Sequence, residues 1–246
     1  MALSDYGRHL LLAVDVRGYG RSDDRRQHEI QRQLAWLLDT AAARAGLDRP
    51  SWQRQAAGDG ELAVLPDSEP EPRLVDGFVR ELAAELMRGN AGAPPAARLR
   101  MRVAVHHGVV RAAAMGFSGK GVVEVSRLAD SRVAHLALDR AGGDLVLVVS
   151  ERVFADTVEQ PHTSYDPAAF RAVTVEHKEL RQTAWLLVPG HDLHSVDLEV
   201  EPAAVPEPRP PSRVSNNASH VTGPVVQAGD IHGDVTLGDW PDIEHR

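Results

Sequence analysis

Along the first 190 positions apolar residues fall in two alternating rhythms, short unbroken runs and longer stretches spaced by three and four. Leu10, Leu11, Leu12, Ala13 and Val14 form an unbroken run, which predicts a strand buried on both faces. From Gln27 to Ala45 the positions Ile30, Leu34, Leu37, Leu38 and Ala41 recur with helical period and predict an amphipathic helix. Trp52 to Ala57 and Glu61 to Leu65 read as strands joined through Gly58-Asp59-Gly60, a strong hairpin signal. Leu74, Val75, Phe78, Leu82 and Leu86 predict a second helix, closed by Gly89-Asn90. Leu99 to Val105 and Val109 to Met115 read as two strands around His106-His107-Gly108. A third helix is expected over Val122 to Ala137 and a buried strand over Leu145 to Val149. Strands near Val173-Val175 and Ala184-Val188 close the region.

The leading β-α-β-β-α-β order predicts an α+β domain, a ferredoxin-like sheet with helices on one face and extra elements on its C-terminal side. That domain should occupy residues 1–190. Residues 191–217 then read as an extended linker, with Pro202, Pro206, Pro208, Pro210 and Pro211 among acidic residues. Residues 218–240 hold a short β-prone stretch punctuated by glycine, too small to own a core. Composition narrows the chemistry. The chain has 246 residues and no cysteine, which excludes disulfides, thiolate zinc sites, iron–sulfur clusters and cysteine nucleophiles. Lys+Arg 27 against Asp+Glu 35 gives −8, which argues against a nucleic-acid partner. The one apolar N-terminal run is short and broken by Asp15, so neither a signal nor a membrane span is expected, and the location should be cytoplasmic.

Asp15 follows the first strand directly, and Asp59 sits at the hairpin tip. In a β-α-β-β unit the first and third strands are neighbours, so both carboxylates can converge at one sheet edge. Two converging carboxylates suit two Mg²⁺ or Mn²⁺ ions, which take oxygen ligands and leave positions open for phosphates. Gly18 and Gly20 allow a backbone loop to approach a phosphate closely. The bland alternative is that Asp15 caps a turn and Asp59 is a turn residue. Other groups carry less. Twelve histidines show no metal spacing on one helix, and Ser118 and Ser126 lack a nucleophile-elbow context. Trp36 and Trp185 fall in patterned apolar segments, as core or dimer interface. Arg98, Arg100 and Arg102 alternate along one strand and predict a basic face that is solvated or ion-paired.

Together these segments resemble the class III nucleotide cyclases, and in particular a group of actinobacterial cyclase-like proteins, over about residues 8 to 190. Val14-Asp15-Val16-Arg17-Gly18-Tyr19-Gly20 is similar to the family's first metal motif, and Ala57-Gly58-Asp59-Gly60-Glu61-Leu62 to its second. Val103-Ala104-Val105-His106-His107-Gly108 resembles its strand–Gly–strand segment. Gly119 to Leu128 resembles the helix carrying its catalytic Asn and Arg. The resemblance implies metal ligands at Asp15, Asp59 and the Val16 carbonyl, and substrate contacts at Gly18 and Tyr19. It implies a charge-stabilising role for Arg127 and a triphosphate-binding role for Lys178. The base-reading pair falls on Gln55 and Gly116, where adenylyl cyclases have Lys and Asp. Val123 replaces the usual asparagine four residues before Arg127. The implied reaction is attack of the ribose 3′-hydroxyl on the α-phosphate of a nucleoside triphosphate, with pyrophosphate leaving, in a site shared by a homodimer.

Val226-Gln227-Ala228-Gly229 resembles the aliphatic-Gln-aliphatic-Gly core of RIP homotypic interaction motifs and bacterial amyloid signalling sequences. The resemblance implies in-register stacking and an amyloid-motif partner, in a setting such as bacterial defence. Two functional readings follow. One is a signalling cyclase assembled through its tail; the other is a catalytically silent cyclase-fold module that binds a nucleotide or dimerises as a scaffold.

Overall fold

Strand β1 (Gly7–Val16) is paired on both sides, and its side chains feed two different cores. Leu10, Leu12, Val14 and Val16 enter one cluster, while Leu11 and Ala13 enter the other. That two-sided burial is why the run is apolar without alternation. The computed structural model describes residues 6–199, apart from Met115 and Glu179.

Helix α1 (Asp24–Ala45) starts three residues earlier than its apolar period implies, because the Asp23 carboxylate caps it by accepting from the Arg26 N–H at 2.8 Å. Strands β2 (Gln53–Ala57) and β3 (Gly60–Val64) form the expected hairpin. The next helical stretch runs as α2 (Glu71–Arg73), a π-turn (Leu74–Phe78) and α3 (Val79–Asn90). Strand β4 (Met101–Ala113) follows and pairs with the short β5 (Gly116–Ser118). Helices α4 (Lys120–Ala129) and α5 (Arg132–Arg140) lead to β6 (Leu145–Ser150). A turn of helix α6 (Glu151–Val153), a second π-turn (Phe154–Val158), β7 (Arg171–His177) and β8 (Leu180–Leu187) complete the sheet.

The sheet order is β2-β3-β1-β4-β6-β8-β7, with β5 beside β4. Its β2-β3-β1-β4 half is the ferredoxin-like core, and α1 and α3 pack together on one face of it, as the element order predicts. The added half differs in one respect that matters. Helices α4 and α5 cover the opposite face, packing on Leu11, Ala13, Ala104, Val146 and Val148. They form the crossover that lets β6 lie parallel to β4.

Two local expectations are corrected and a third is narrowed. Leu99 to Met115 is not two strands: His106-His107-Gly108 stays in extended register, His107 opposite Leu10 and His106 opposite Leu11. Glycine is tolerated there because α4 sits directly on it. The single helix expected over Val122 to Ala137 breaks at Asp130-Ser131, where the buried Ser131 hydroxyl caps α5 by accepting from the Ala134 N–H. Of the two places expected for Trp36, core or dimer interface, core is excluded, since it is 57% exposed on α1, whereas Trp185 stacks on Phe154 with ring centroids 3.7 Å apart.

Packing also continues past Gly190. Leu193 and Leu198 are buried against the α4–α5 side, and Arg171 donates to the Leu193 and Val196 carbonyls. Residues 191–199, assigned to the linker on composition, are thus packed on the domain. The rest of the linker and the 218–240 motif lie outside the described residues.

Candidate functional site

Asp15 is the penultimate residue of β1 and shares the α4–α5 side of the sheet with Leu11 and Ala13, by strand alternation. Its register neighbours are Gly60 on β3 and Arg102 on β4. The β2–β3 turn is pinned beside it: the Val16 N–H donates to the Asp59 carbonyl at 2.8 Å. Gly60 makes that closeness possible, since a Cβ there would lie 2.1 Å from the Val14 carbonyl oxygen. The two aspartates the sequence singles out are therefore held on adjoining strand ends by main-chain pairing. Asp59 is partly exposed, and its carboxylate joins no hydrogen bond or ion pair among the described residues.

The loop after β1 folds over the same turn. Gly18 has φ +79, a left-handed conformation that favours glycine. It turns the chain so that the Tyr19 ring lies over Gly58, 3.6 Å from where a Cβ would stand. The Tyr19 hydroxyl accepts from the Gln31 side-chain amide at 2.7 Å, which ties the loop to α1.

Asp15 has a partner that the strand pattern conceals. Arg102 is 4% exposed, and one of its terminal nitrogens forms an ion pair with the Asp15 carboxylate. Its Nε donates to the carbonyl of Ala129, the last residue of α4, at 2.9 Å, and its other terminal nitrogen lies 3.3 Å from His135 Nδ1 on α5. Because a guanidinium only donates, His135 Nδ1 accepts here, leaving Nε2 to donate to Asp130 Oδ1 at 3.1 Å. Burial lowers the Arg102 pKa, and Asp130 and Asp139 counter it.

Arg98, Arg100 and Arg102, expected as a solvated or ion-paired face, are ion-paired. Arg98 pairs with Asp144 at 2.8 Å, and Arg100 donates to the Leu138 and Gly143 carbonyls at the end of α5. Arg98 and Arg100 also precede β4 rather than alternating along it.

Gln55 and Gly116 come together as a pair. A Cβ on Gly116 would fall 2.2 Å from Gln55 Oε1, so the amide fills the space that a side chain at 116 would need. Arg127 lies in the last turn of α4, one turn beyond Val123, which is 44% exposed. Lys178 is exposed just beyond β7 with φ +54, a conformation strained for lysine. The neighbouring His177 places its Nε2 3.9 Å from Asp130 Oδ2, which sets this end of β7 beside the α4–α5 junction.

A second buried pair lies deeper under α4. His106 Nε2 is 3.0 Å from Glu124 Oε2, and Lys120 Nζ is 3.4 Å from Glu124 Oε1. Burial pushes the His106 pKa below its ordinary value, against the attraction of Glu124. Among the described residues no group of three or more His, Asp or Glu side chains is arranged to hold a metal. Any cation here therefore needs oxygens from main chain, water or ligand as well.

No protein-family profile matches the chain, and no curated protein sequence is similar to it. Solved structures do resemble it. An adenylate/guanylate cyclase/hydrolase from Silicibacter pomeroyi superposes with TM-score 0.55 at 19% identity, over 76% of this chain and 99% of that one. The guanylate cyclase domain of RhGC from Catenaria anguillulae, solved in complex with GTP, gives 0.50 at 16% identity, over 75% of this chain and 99% of that one. A bacterial light-regulated adenylyl cyclase gives 0.51 at 10% identity, over 73% of this chain and 51% of that one. At these identities the likeness is one of fold.

Proposed function

We propose that this chain, which carries the nucleotide cyclase fold, converts a nucleoside triphosphate into a cyclic nucleotide and pyrophosphate, as a homodimer using two Mg²⁺ or Mn²⁺ ions. The observation that carries the reading is the main-chain bond from Val16 to Asp59. It holds the main chain of Asp59 beside the end of β1 that carries Asp15, and among the described residues the Asp59 carboxylate has no partner.

The donor set fits hard divalent cations, which prefer oxygen. Asp59, the free oxygen of Asp15 and the Val16 carbonyl would hold them, with substrate phosphates supplying further oxygens. When bound, such ions acidify a hydroxyl and offset phosphate charge. The remaining roles fall to the chain's own groups. The Gly18-Tyr19 segment, closed over the Asp59 turn, would line the phosphates. Gln55 offers a donor and an acceptor to a base edge, and with Gly116 opposite it no second side chain shares the reading. Arg127 would neutralise charge developing on the transferring phosphoryl group, and Lys178 would hold the leaving phosphates.

Val123 favours a second reading. A valine at the position where the resembling family has asparagine removes a transition-state donor, and a silent nucleotide-binding or dimerising scaffold would keep the fold without it. Under either reading the 218–240 motif would drive assembly with an amyloid-motif partner. A peptide over that range should form fibrils with strand spacing of about 4.7 Å, and a peptide that stays monomeric would remove this part. Among the described residues no helix is long and apolar enough to cross a membrane, and a cytoplasmic location is part of the proposal.

The test is to incubate the purified full chain with each of the four nucleoside triphosphates and Mn²⁺, and to score products by mass spectrometry. A cyclic product that falls on the order of 100-fold or more in Asp59→Ala supports the enzyme. No product from any of the four, from an intact dimer, favours the scaffold.

A further inference from the structure

The sheet places a buried guanidinium on the very carboxylate that the proposed cation site requires. Arg102 stands opposite Asp15 across β4 and β1, is almost wholly buried, and meets the Asp15 carboxylate directly. It cannot leave freely, since the same guanidinium also donates to the Ala129 carbonyl and faces His135. Nor can it lose its charge, because guanidinium groups stay protonated in proteins. The charged and titratable groups facing it are Asp15 from β1, Asp130 from the α4–α5 link, and His135 and Asp139 from α5. Three of these four groups lie on the segment that follows Arg127.

We propose that Arg102 is a positioning residue that competes with the divalent cation for Asp15, so that cation binding and the attachment of the end of α4 to β4 are antagonistic. The proposal rests on the reading of Asp15 and Asp59 as cation ligands. A cation bonded to Asp15 withdraws the charge that holds Arg102. The guanidinium then loosens from the Ala129 carbonyl and from His135 Nδ1. Coupling of this kind is reciprocal: whatever holds α4 and α5 in place weakens the cation, and whatever releases them strengthens it. Asp59, without a partner among the described residues, is outside the competition. In the nucleotide-free protein it is then the available ligand, and Asp15 is the guarded one.

The experiment titrates Mn²⁺ into the nucleotide-free full chain and follows the free-ion signal by electron paramagnetic resonance. Arg102→Gln should bind Mn²⁺ at least tenfold more tightly than wild type. Arg102→Lys, which keeps a charge but cannot span three partners, should fall between them. The double variant Asp15→Asn/Arg102→Gln should lose the gain. A second measurement uses the wild type and needs no variant to fold: Mg²⁺ should shift the His135 ring resonances and leave those of His106 in place. Asp15-dependent Mn²⁺ binding that is equal or weaker in Arg102→Gln, or Mg²⁺ binding that leaves His135 unmoved, overturns the competition while the carboxylate reading stands. Absence of Asp15-dependent binding in every variant overturns both.

Discussion

Asp15→Ala should destabilise the fold by about 3 kcal/mol, while Asp59→Ala should melt within about 1 °C of wild type. The two residues look equivalent as candidate cation ligands and differ entirely in their surroundings. Removing Asp15 strands a buried Arg102, and breaking a buried pair from one side costs roughly 3–5 kcal/mol; the Asp15 side chain is 25% exposed, which argues for the lower end. For a domain of this size that corresponds to a fall of about 6–12 °C in melting temperature. Among the described residues Asp59 has no side-chain partner to strand. Calorimetry on both variants decides the matter, and Asp15→Ala/Arg102→Leu should recover much of the loss by removing the orphaned charge. Equal melting of the two single variants would mean that the Arg102 contact contributes nothing to folding. The contrast also makes Asp59→Ala the cleaner probe of activity, because its effect is not confounded by instability.

Gly121→Ala should reduce turnover of the proposed reaction by on the order of 100-fold while the protein remains folded, and Gly121→Val should fail to fold stably. Gly121 opens α4 and sits directly on Gly108 of β4. A Cβ at 121 would lie 2.8 Å from the Gly108 carbonyl carbon and 2.9 Å from Leu11 Cδ1, and a Cβ at 108 would lie 2.6 Å from the Gly121 Cα. The obstacle is main chain, which cannot rotate aside as a flexible side chain can, so the helix must move. Helix α4 carries Val123 and Arg127, and its far end is bonded to Arg102. Under the proposed function, displacement by an ångström or so would misplace Arg127 relative to the substrate whose charge it is proposed to offset. Steady-state kinetics with a melting curve for each variant separates the two effects. Unchanged turnover in Gly121→Ala would show that the height of α4 above the sheet does not govern the chemistry.

Much of this was written into the sequence because it rests on local physics. The unbroken run Leu10 to Val14 could only be a strand with both faces covered, and α1 and the Asp59 hairpin follow from helical period and glycine turn chemistry. From the β-α-β-β-α-β order came the adjacency of β1 and β3, and with it the meeting of Asp15 and Asp59. Tertiary structure decided what depends on register and on distant chain segments. No periodicity tells that Arg102 stands opposite Asp15, since a one-residue slip would point it at α1 and α3 instead. Helix propensity continues through Asp130-Ser131, and only the packing of two helices on a twisted sheet, with Ser131 buried as a cap, ends one and starts the other. His106-His107-Gly108 carries the look of a turn, yet β4 passes straight through it because glycine at 108 admits the close approach of Gly121. Leu193 and Leu198 lie in a stretch that composition reads as linker, and they are buried because they join the cluster on the α4–α5 side of the sheet. Sequence determined the elements and the one neighbouring pair that their order dictates; the three-dimensional fold alone decided which charges meet, because ion pairs are made by space and not by spacing.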